Sequence, residues 1–253
     1  MDHLGAVVGP LAAFLLLSGA GLSLQNVFFL SAIPGIAAVA ALFLFVREPE
    51  APPLPNAERS LRGDLPPAYR RYLMIVCLFT LGNASDAFLI LRAVETGVPV
   101  AYIPLLWGAF HVVKSALSTP AGILSDRWDR RKVVVAGWIV YAVTYAAWGI
   151  VRGPVWMVGL FLVYGLYAAA TEGVERALVA DFVPAERRGT AYGWFHLVVG
   201  ISALPASVLF GFLYKWYGAQ AAFGTSATLA IAASALLMFL KTPGAPTASK
   251  SDT

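Results

Sequence analysis

The stretch Gly122-Ile-Leu-Ser-Asp-Arg-Trp-Asp-Arg-Arg131 places five charged residues between two long apolar runs, a pattern typical of a turn between membrane-spanning helices. The chain as a whole is 59% hydrophobic and 13% charged, with a mean hydropathy of +0.73. Soluble domains carry about 25% charged residues. A chain of 253 residues cannot bury this much apolar surface in one soluble core, so we expect an all-α integral membrane protein.

The apolar residues fall into runs long enough to cross a bilayer, which takes about 20 residues of helix. Eight such runs occur, at residues 4–22, 26–46, 72–94, 100–122, 132–151, 154–177, 190–214 and 219–240. The strands of a membrane β-barrel would show as alternating segments of about ten residues, and these runs are longer and continuous. The pattern therefore predicts about eight transmembrane helices.

The basic residues predict the orientation of these helices. Thirteen of the 18 Lys and Arg residues lie in the segments that the eight spans place on one side, and Arg92, Arg152 and Lys215 lie on the other. Cytoplasmic segments carry the excess of Lys and Arg in membrane proteins. We therefore expect a multi-pass protein of the cell (cytoplasmic) membrane with both termini in the cytoplasm.

Other classes of function receive little support from the sequence. The positive charges flank apolar runs, which speaks against nucleic acid as a partner. The single cysteine, Cys77, provides neither a disulfide framework nor a cysteine metal site, and we expect no metal and no cofactor. The motifs Gly-x-Ser-x-Gly and His-Glu-x-x-His and a P-loop do not occur, so an intramembrane enzyme is the least favoured reading and ATP is not the expected energy source.

The charged turn admits two explanations from its residues alone. It can be an anchor that holds its loop at the cytoplasmic surface. Alternatively, Asp126 can cap the following helix or pair with an arginine, which would make the turn a structural device.

The spacing of the turn resembles the signature loop of the major facilitator superfamily, Gly-x-Leu-x-Asp-Arg-x-Gly-Arg-Arg. Asp129 stands where that family usually has glycine, which bears on the backbone conformation of the turn. The matching residues are Gly122, Leu124, Asp126, Arg127, Arg130 and Arg131.

Two further segments are similar to the same family. Gly5, Gly9 and Pro10 form a Gly-x-x-x-Gly-Pro pattern like that of the family's fifth helix, but Ala13 and Phe14 replace the two glycines of the antiporter version. Residues 181–193 resemble the turn between its tenth and eleventh helices.

The resemblance implies a division of the chain and the loss of four helices upstream. Residues 1–46 would be the last two helices of the N-terminal half, and residues 72–242 a complete six-helix C-terminal half. Residues 47–71, which hold six prolines, would be the cytoplasmic linker, and residues 243–253 a disordered tail.

Ionisable and polar side chains inside the spans are candidates for a substrate or proton pathway, since such groups are costly in a bilayer and face a cavity or a partner. A carboxylate in surroundings of low dielectric can exchange a proton, and histidine titrates near neutral pH. Structural hydrogen bonds and local ion pairs are the competing explanation. The candidates are Asn83, Asp86, His111, Lys114, Tyr164, Tyr167, Thr171, Glu172, Glu175, Arg176 and His196.

Specific pairings follow from helical spacing. Asn83 and Asp86 would share one helix face, and Lys114 would pair with Asp86 or another acid. Glu172 and Arg176 are four residues apart and can form a local ion pair. On depth in the membrane, His196 is expected near Glu175. The tryptophans, Trp138 among them, are expected as interfacial anchors or packing.

The function predicted from these residues is secondary active transport of a small solute by alternating access, with proton-coupled efflux as one form of it. The expected partners are the lipid bilayer, a small-molecule solute and protons. The alternative is an inactive fragment, or a subunit that needs the missing N-terminal helices. The residues do not distinguish the substrate among drugs, sugars, amino acids and organic anions.

Overall fold

A computed structural model describes residues 2–45 and 65–240 of the chain. The predicted linker up to residue 64 and the predicted tail lie outside the described residues. Within these ranges the regular structure is helical: α1 (Asp2–Phe14), α2 (Leu24–Phe45), α3 (Pro67–Gly82), α4 (Ala87–Glu95), α5 (Ile103–Arg127), α6 (Arg130–Ile150), α7 (Pro154–Phe182) and α8 (Arg188–Phe239). A π-helical turn, Leu15–Gly19, extends α1, and short 3-10 turns precede α5 and α8.

Six helical stretches of the described chain are long and apolar enough to cross a membrane. Gly218, with φ of 84°, breaks the last of these, so the single helix α8 contains the two spans predicted at 190–214 and 219–240. Gly5–Gly19 is a shorter apolar helix. This confirms the all-α membrane class.

Helices α3 to α8 form one bundle around an aromatic core. Trp138, Tyr141 and Trp148 are fully buried on α6, and Phe79 of α3 stacks on Trp138 with ring centroids 4.2 Å apart. Side-chain hydrogen bonds tie distant helices together, as where the buried Tyr69 hydroxyl of α3 donates to the Ala191 carbonyl of α8 at 2.7 Å. The core therefore lies in the segment that the sequence assigns to a six-helix half.

The first two helices are attached more loosely. α1 runs against α5, and Phe14 packs on Tyr102 of the 3-10 turn before α5 with ring centroids 5.6 Å apart. α2 buries none of its residues, and Phe28, Phe29 and Phe43 are among its exposed apolar side chains.

The structure differs from the sequence prediction in the third span, which was expected to be one helix over 72–94. The helix begins earlier, at Pro67, because the fixed φ of proline suits the first helical turn. It is then interrupted over residues 83–86, between α3 and α4.

Basic side chains lie at both ends of the bundle. The Arg130 side chain contacts Asp181, and that of Arg131 contacts the Leu240 carbonyl, so the α5–α6 turn and the far ends of α7 and α8 meet at one end. At the other end, Arg92 donates to the carbonyls of Trp148 and Val151. The tertiary structure thus places the charged turn and Arg92 at opposite ends.

Candidate functional site: a broken span and its polar neighbours

The interruption of the third span is stabilised by side chains of other helices. The Gly82 carbonyl, which ends α3, accepts a hydrogen bond of 2.7 Å from the Tyr141 hydroxyl. Ser207 accepts from the Ser85 backbone N–H at 3.3 Å, and the Ser85 hydroxyl accepts from the Ala87 N–H. Irregular backbone inside a membrane is tolerated where such partners replace the helical ones. Specific hydrogen bonds therefore stabilise the break within the bundle.

Asn83 and Asp86 do not share a helix face, which corrects the prediction from their spacing. Asn83 ends α3 with φ of −104° and ψ of 81°, and Asp86 precedes the first residue of α4. A spacing of three residues aligns side chains only on a continuous helix.

The Asp86 carboxylate is hydrogen-bonded to α7. Its Oδ1 atom accepts from the Tyr164 hydroxyl at 2.8 Å. Tyr164 is buried, and its ring stacks on Phe110 of α5 with centroids 5.3 Å apart. Three different helices therefore contribute to the position of this one acid.

The aromatic surroundings of Tyr164 were missed by the sequence analysis. Tyr145 stacks on Tyr141 at 4.0 Å between centroids, and Trp148 lies edge-on to Tyr164 at 5.4 Å. Residues 141, 145 and 148 recur at intervals of four and three residues, the spacing of one helix face. This spacing in the sequence could have predicted an aromatic face on α6.

Lys114 pairs with Glu172 of α7 and not with Asp86, and the prediction of Asp86 or another acid had left that partner unnamed. The Lys114 side chain is 18% exposed and that of Glu172 is 48% exposed. Glu172 also lies 3.6 Å from Arg176, so the expected local pair exists as well. One carboxylate thus connects two cations at the edge of the bundle.

Glu175 contacts a tryptophan instead of the histidine expected beside it. Its Oε1 atom accepts from Trp138 Nε1 at 2.7 Å, and its backbone carbonyl accepts from the Tyr72 hydroxyl at 3.4 Å. Trp138 is fully buried, so packing rather than interfacial anchoring is its role.

The remaining candidates occupy separate positions. His196 is exposed, with its ring against Phe195 at 5.4 Å between centroids. His111 packs edge-on against Trp107 and Phe110. Tyr167 and Thr171 are buried, and the Thr171 hydroxyl donates to the Tyr167 carbonyl within α7. Within the described ranges, no group of three His, Cys, Asp or Glu side chains is placed to hold a metal ion.

The charged turn forms two ion-pair systems. In the first, the Arg130 guanidinium bonds to Asp126 at 3.0 Å and to Asp181 at 2.7 Å, joining the ends of α5 and α7. Asp126 is thus the partner of an arginine and not the cap of the following helix. In the last turns of α5, the Ser125 hydroxyl donates a hydrogen bond of 2.7 Å to the Gly122 carbonyl.

The second system depends on Asp129. Its Oδ1 atom accepts from the Arg131 N–H at 3.0 Å, which caps α6, and its Oδ2 atom lies 2.8 Å from the Arg131 guanidinium. Asp129 has φ of −62°, a conformation open to any L residue, so this turn does not need a glycine there.

The Gly-x-x-x-Gly-Pro segment contacts the bundle through its proline. A Cβ atom built on Gly108 would lie 3.5 Å from the Pro10 Cβ, whereas the sites of Gly5 and Gly9 have no neighbour within 4 Å. α1 therefore meets α5 at Pro10, and its glycine positions are open.

Comparison with known proteins agrees with this architecture. The family model described as Major Facilitator Superfamily matches residues 72–253. The chain belongs to the Major Facilitator Superfamily. The members of this superfamily are transporters of the bilayer that act on small solutes, and they are not enzymes. The match covers the segment that forms the bundle α3 to α8 and the residues beyond it.

Individual relatives extend the similarity to the first two helices. An uncharacterized MFS-type transporter of Methanocaldococcus jannaschii is 31% identical over 94% of this chain and 61% of its own length. An uncharacterized protein of Mycobacterium tuberculosis is 25% identical over 85% of this chain and 54% of its own. The multi-drug resistance efflux pump PmrA of Streptococcus pneumoniae is 26% identical over 49% of this chain and 31% of its own. The chain therefore spans about half to three fifths of the length of these first two relatives.

Proposed function

We propose that the chain carries the solute site of a secondary transporter, which moves a small solute across the cytoplasmic membrane by alternating access. The observation that carries this proposal is the position of Asp86 at the break between α3 and α4, hydrogen-bonded to Tyr164. Transporters typically build their sites from interrupted helices near the middle of the membrane. An acid at such a break is a candidate contact for solute or proton.

The neighbouring charges support the same assignment. Lys114 and Glu172 bring an ion pair from α5 and α7 to the edge of the bundle, with Glu172 half exposed. Polar groups of both signs inside spans are costly unless they face a cavity or a partner. In the proposed site, Asp86, Lys114 and Glu172 contact the solute, and Tyr164 positions Asp86.

Glu175 and Arg176 continue the polar face of α7 towards the charged turn. We assign them, with Asn83, Tyr167, Thr171, His111 and His196, to the walls of the pathway between the site and the membrane surface. Proton coupling is proposed through Asp86 and Glu175, which both accept hydrogen bonds from buried aromatic side chains. The efflux direction is suggested by the similarity to PmrA.

Alternating access requires two helical bundles that rock against each other. The described residues contain one bundle and the helices α1 and α2, which we propose correspond to the last two helices of the other half. The remaining helices would come from a longer protein or from a second chain. The basic end of the bundle faces the cytoplasm in this proposal.

A binding screen tests the site directly. The purified chain is heated with each member of a solute library, and solutes that raise its melting temperature are repeated on Asp86→Asn and Lys114→Gln variants. The control is Glu186→Gln, an exposed acid in the turn before α8. The stabilisation is expected to disappear in the first two variants and to persist in the control. Equal stabilisation of all four proteins would contradict the assigned site.

Coupling is tested by uptake of a stabilising solute into liposomes that contain this chain together with the helices that complete the other bundle, with and without a pH gradient. A gradient-dependent accumulation that is lost in Asp86→Asn is expected. Accumulation independent of the gradient would exclude proton coupling but would leave transport itself supported.

A further inference from the structure

An apolar groove opens beside the charged turn, between α5, α6 and α7. Its volume is about 430 Å³. Its walls are aliphatic, and the charged side chain at its edge is that of Lys132. The lining includes Pro120, Leu124, Ala136, Val140 and Leu166.

The groove lies where the bundle meets the membrane surface. Trp128, which also lines it, is 63% exposed and follows the last residue of α5. Exposed tryptophan is typical of the boundary between headgroups and acyl chains. The groove therefore extends from the interface into the apolar region.

The basic residues of the turn divide into two kinds. Arg130 and Arg131 are held by carboxylates of the chain itself, as described above. Arg127 and Lys132 are exposed, and neither forms an ion pair with a carboxylate of residues 2–45 or 65–240. Arg127 precedes Trp128 in the chain, and Lys132 lines the same end of the groove, so two cations without an acidic partner among the described residues are available there.

We propose that this groove binds an anionic phospholipid. An acyl chain lies along the aliphatic walls, and the headgroup phosphate contacts Arg127 and Lys132. Basic pockets between helices at the membrane surface are known sites for anionic headgroups, and each Lys or Arg near that surface contributes about 1 kcal/mol. A soluble anion matches the two cations but leaves the aliphatic walls empty, so a lipid is the better fit.

Lipid binding would also act on the turn. The phosphate would bring a negative charge next to the helix ends that Arg130 and Arg131 hold together. The lipid is therefore expected to stabilise the packing of α5 against α6 and α7, independently of any solute bound near Asp86.

Native mass spectrometry and thermal unfolding of the purified chain test the proposal. The probes are 1-palmitoyl-2-oleoyl phosphatidylglycerol, phosphatidylcholine with the same acyl chains, and inorganic phosphate. We expect one tightly retained phosphatidylglycerol and a rise in melting temperature that phosphatidylcholine reproduces weakly and inorganic phosphate does not. The Arg127→Gln/Lys132→Gln variant should bind phosphatidylglycerol about 10- to 30-fold less tightly, as expected from the loss of two charges.

The matched control is Arg152→Gln/Lys215→Gln. Arg152 and Lys215 are exposed basic residues at the opposite end of the bundle, and Lys215 lies over the exposed Trp216 ring. This control should retain the preference for phosphatidylglycerol.

A second variant tests the groove without changing charge. Ala136 is exposed and lines the groove, so Ala136→Phe fills the space for the acyl chain without overpacking the core. This variant should bind both lipids more weakly. Its melting temperature in the absence of lipid shows whether it folds. Equal affinity for the two lipids, an equal loss in the control pair, or full stabilisation by inorganic phosphate would each overturn the proposal.

Discussion

Arg130 lies between two carboxylates, 3.0 Å from Asp126 on its own turn and 2.7 Å from Asp181 at the end of α7. The Arg130 and Asp181 side chains are 30% and 28% exposed, whereas that of Asp126 is 68% exposed. Ion pairs shielded from water are screened less by salt than exposed ones. The contact with Asp181, between helices far apart in sequence, is thus the stronger link of the two.

A double-mutant cycle should resolve these two contacts. Replacing Arg130 by Gln and Asp181 by Asn, singly and together, is expected to show a coupling of about 1 kcal/mol in the free energy of unfolding, and the Arg130–Asp126 cycle less than half of that. Thermal unfolding in detergent at low and high salt provides the measurement. A larger coupling for the Asp126 pair would contradict the order inferred from exposure.

The role of Asp129 can be separated into cap and ion pair. Asp129→Gly restores the residue usual in the family signature but removes both the cap on the Arg131 N–H and the pair with its guanidinium. A glycine cap costs only a few tenths of a kcal/mol and the lost pair up to about 1 kcal/mol, so a total loss of about 1 kcal/mol in stability is expected. Asp129→Asn keeps a capping oxygen and should lose less, because only the ion pair is removed. If glycine stabilised the protein, the cap would have no role in the fold.

The hydrogen bond between Tyr164 and Asp86 should matter for solute binding more than for folding. Tyr164→Phe removes the hydroxyl donor and keeps the ring, so we expect a loss of about 1 kcal/mol in stability together with weaker binding of solutes found in the screen. Tyr217→Phe is the control, because that side chain is 68% exposed on α8. Unchanged solute affinity in Tyr164→Phe would separate this tyrosine from the site.

The crossing of α5 and α7 depends on the absence of a side chain at Gly165. A Cβ atom there would lie 3.0 Å from the Phe110 carbonyl oxygen and 3.0 Å from the Val113 Cβ. Gly165→Ala should therefore lower stability by about 1–3 kcal/mol despite the better helix propensity of alanine. At Gly159, on the same helix, the added methyl group meets nothing within 4 Å, and the substitution should be neutral or stabilising. Equal melting temperatures for the two variants would contradict the close packing.

Exchanging the charges of Lys114 and Glu172 should restore the stability that a single substitution loses. Lys114→Gln leaves Glu172 with its weaker contact to Arg176, whereas the double variant Lys114→Glu/Glu172→Lys restores an opposite pair across α5 and α7. We expect solute binding to be lost in the single variant and stability to recover in the double one. The readouts are melting temperature and solute-induced stabilisation, and failure of stability to recover would indicate that packing of the lysine stem outweighs the charge.

The sequence alone determined the class of protein, the approximate positions of its spans and the family resemblance. These features depend on local composition, since a run of about 20 apolar residues is a membrane span whatever its neighbours are. The motif around Asp126 and Arg130 was recognisable for the same reason, because its residues are adjacent in the chain. Helix breaks such as that at Gly218 were also visible, as a gap between two apolar runs.

Which side chains contact each other depends on how the helices pack in three dimensions. Tyr141 of α6 donates a hydrogen bond at the break in the third span. Trp138, and not the expected His196, contacts Glu175. Lys114 pairs with Glu172 and not with Asp86. Spacing along one helix specifies a face but not the helix that packs against it. Those contacts depend on the rotation and depth of each helix within the bundle, which large buried aromatic side chains determine through their packing.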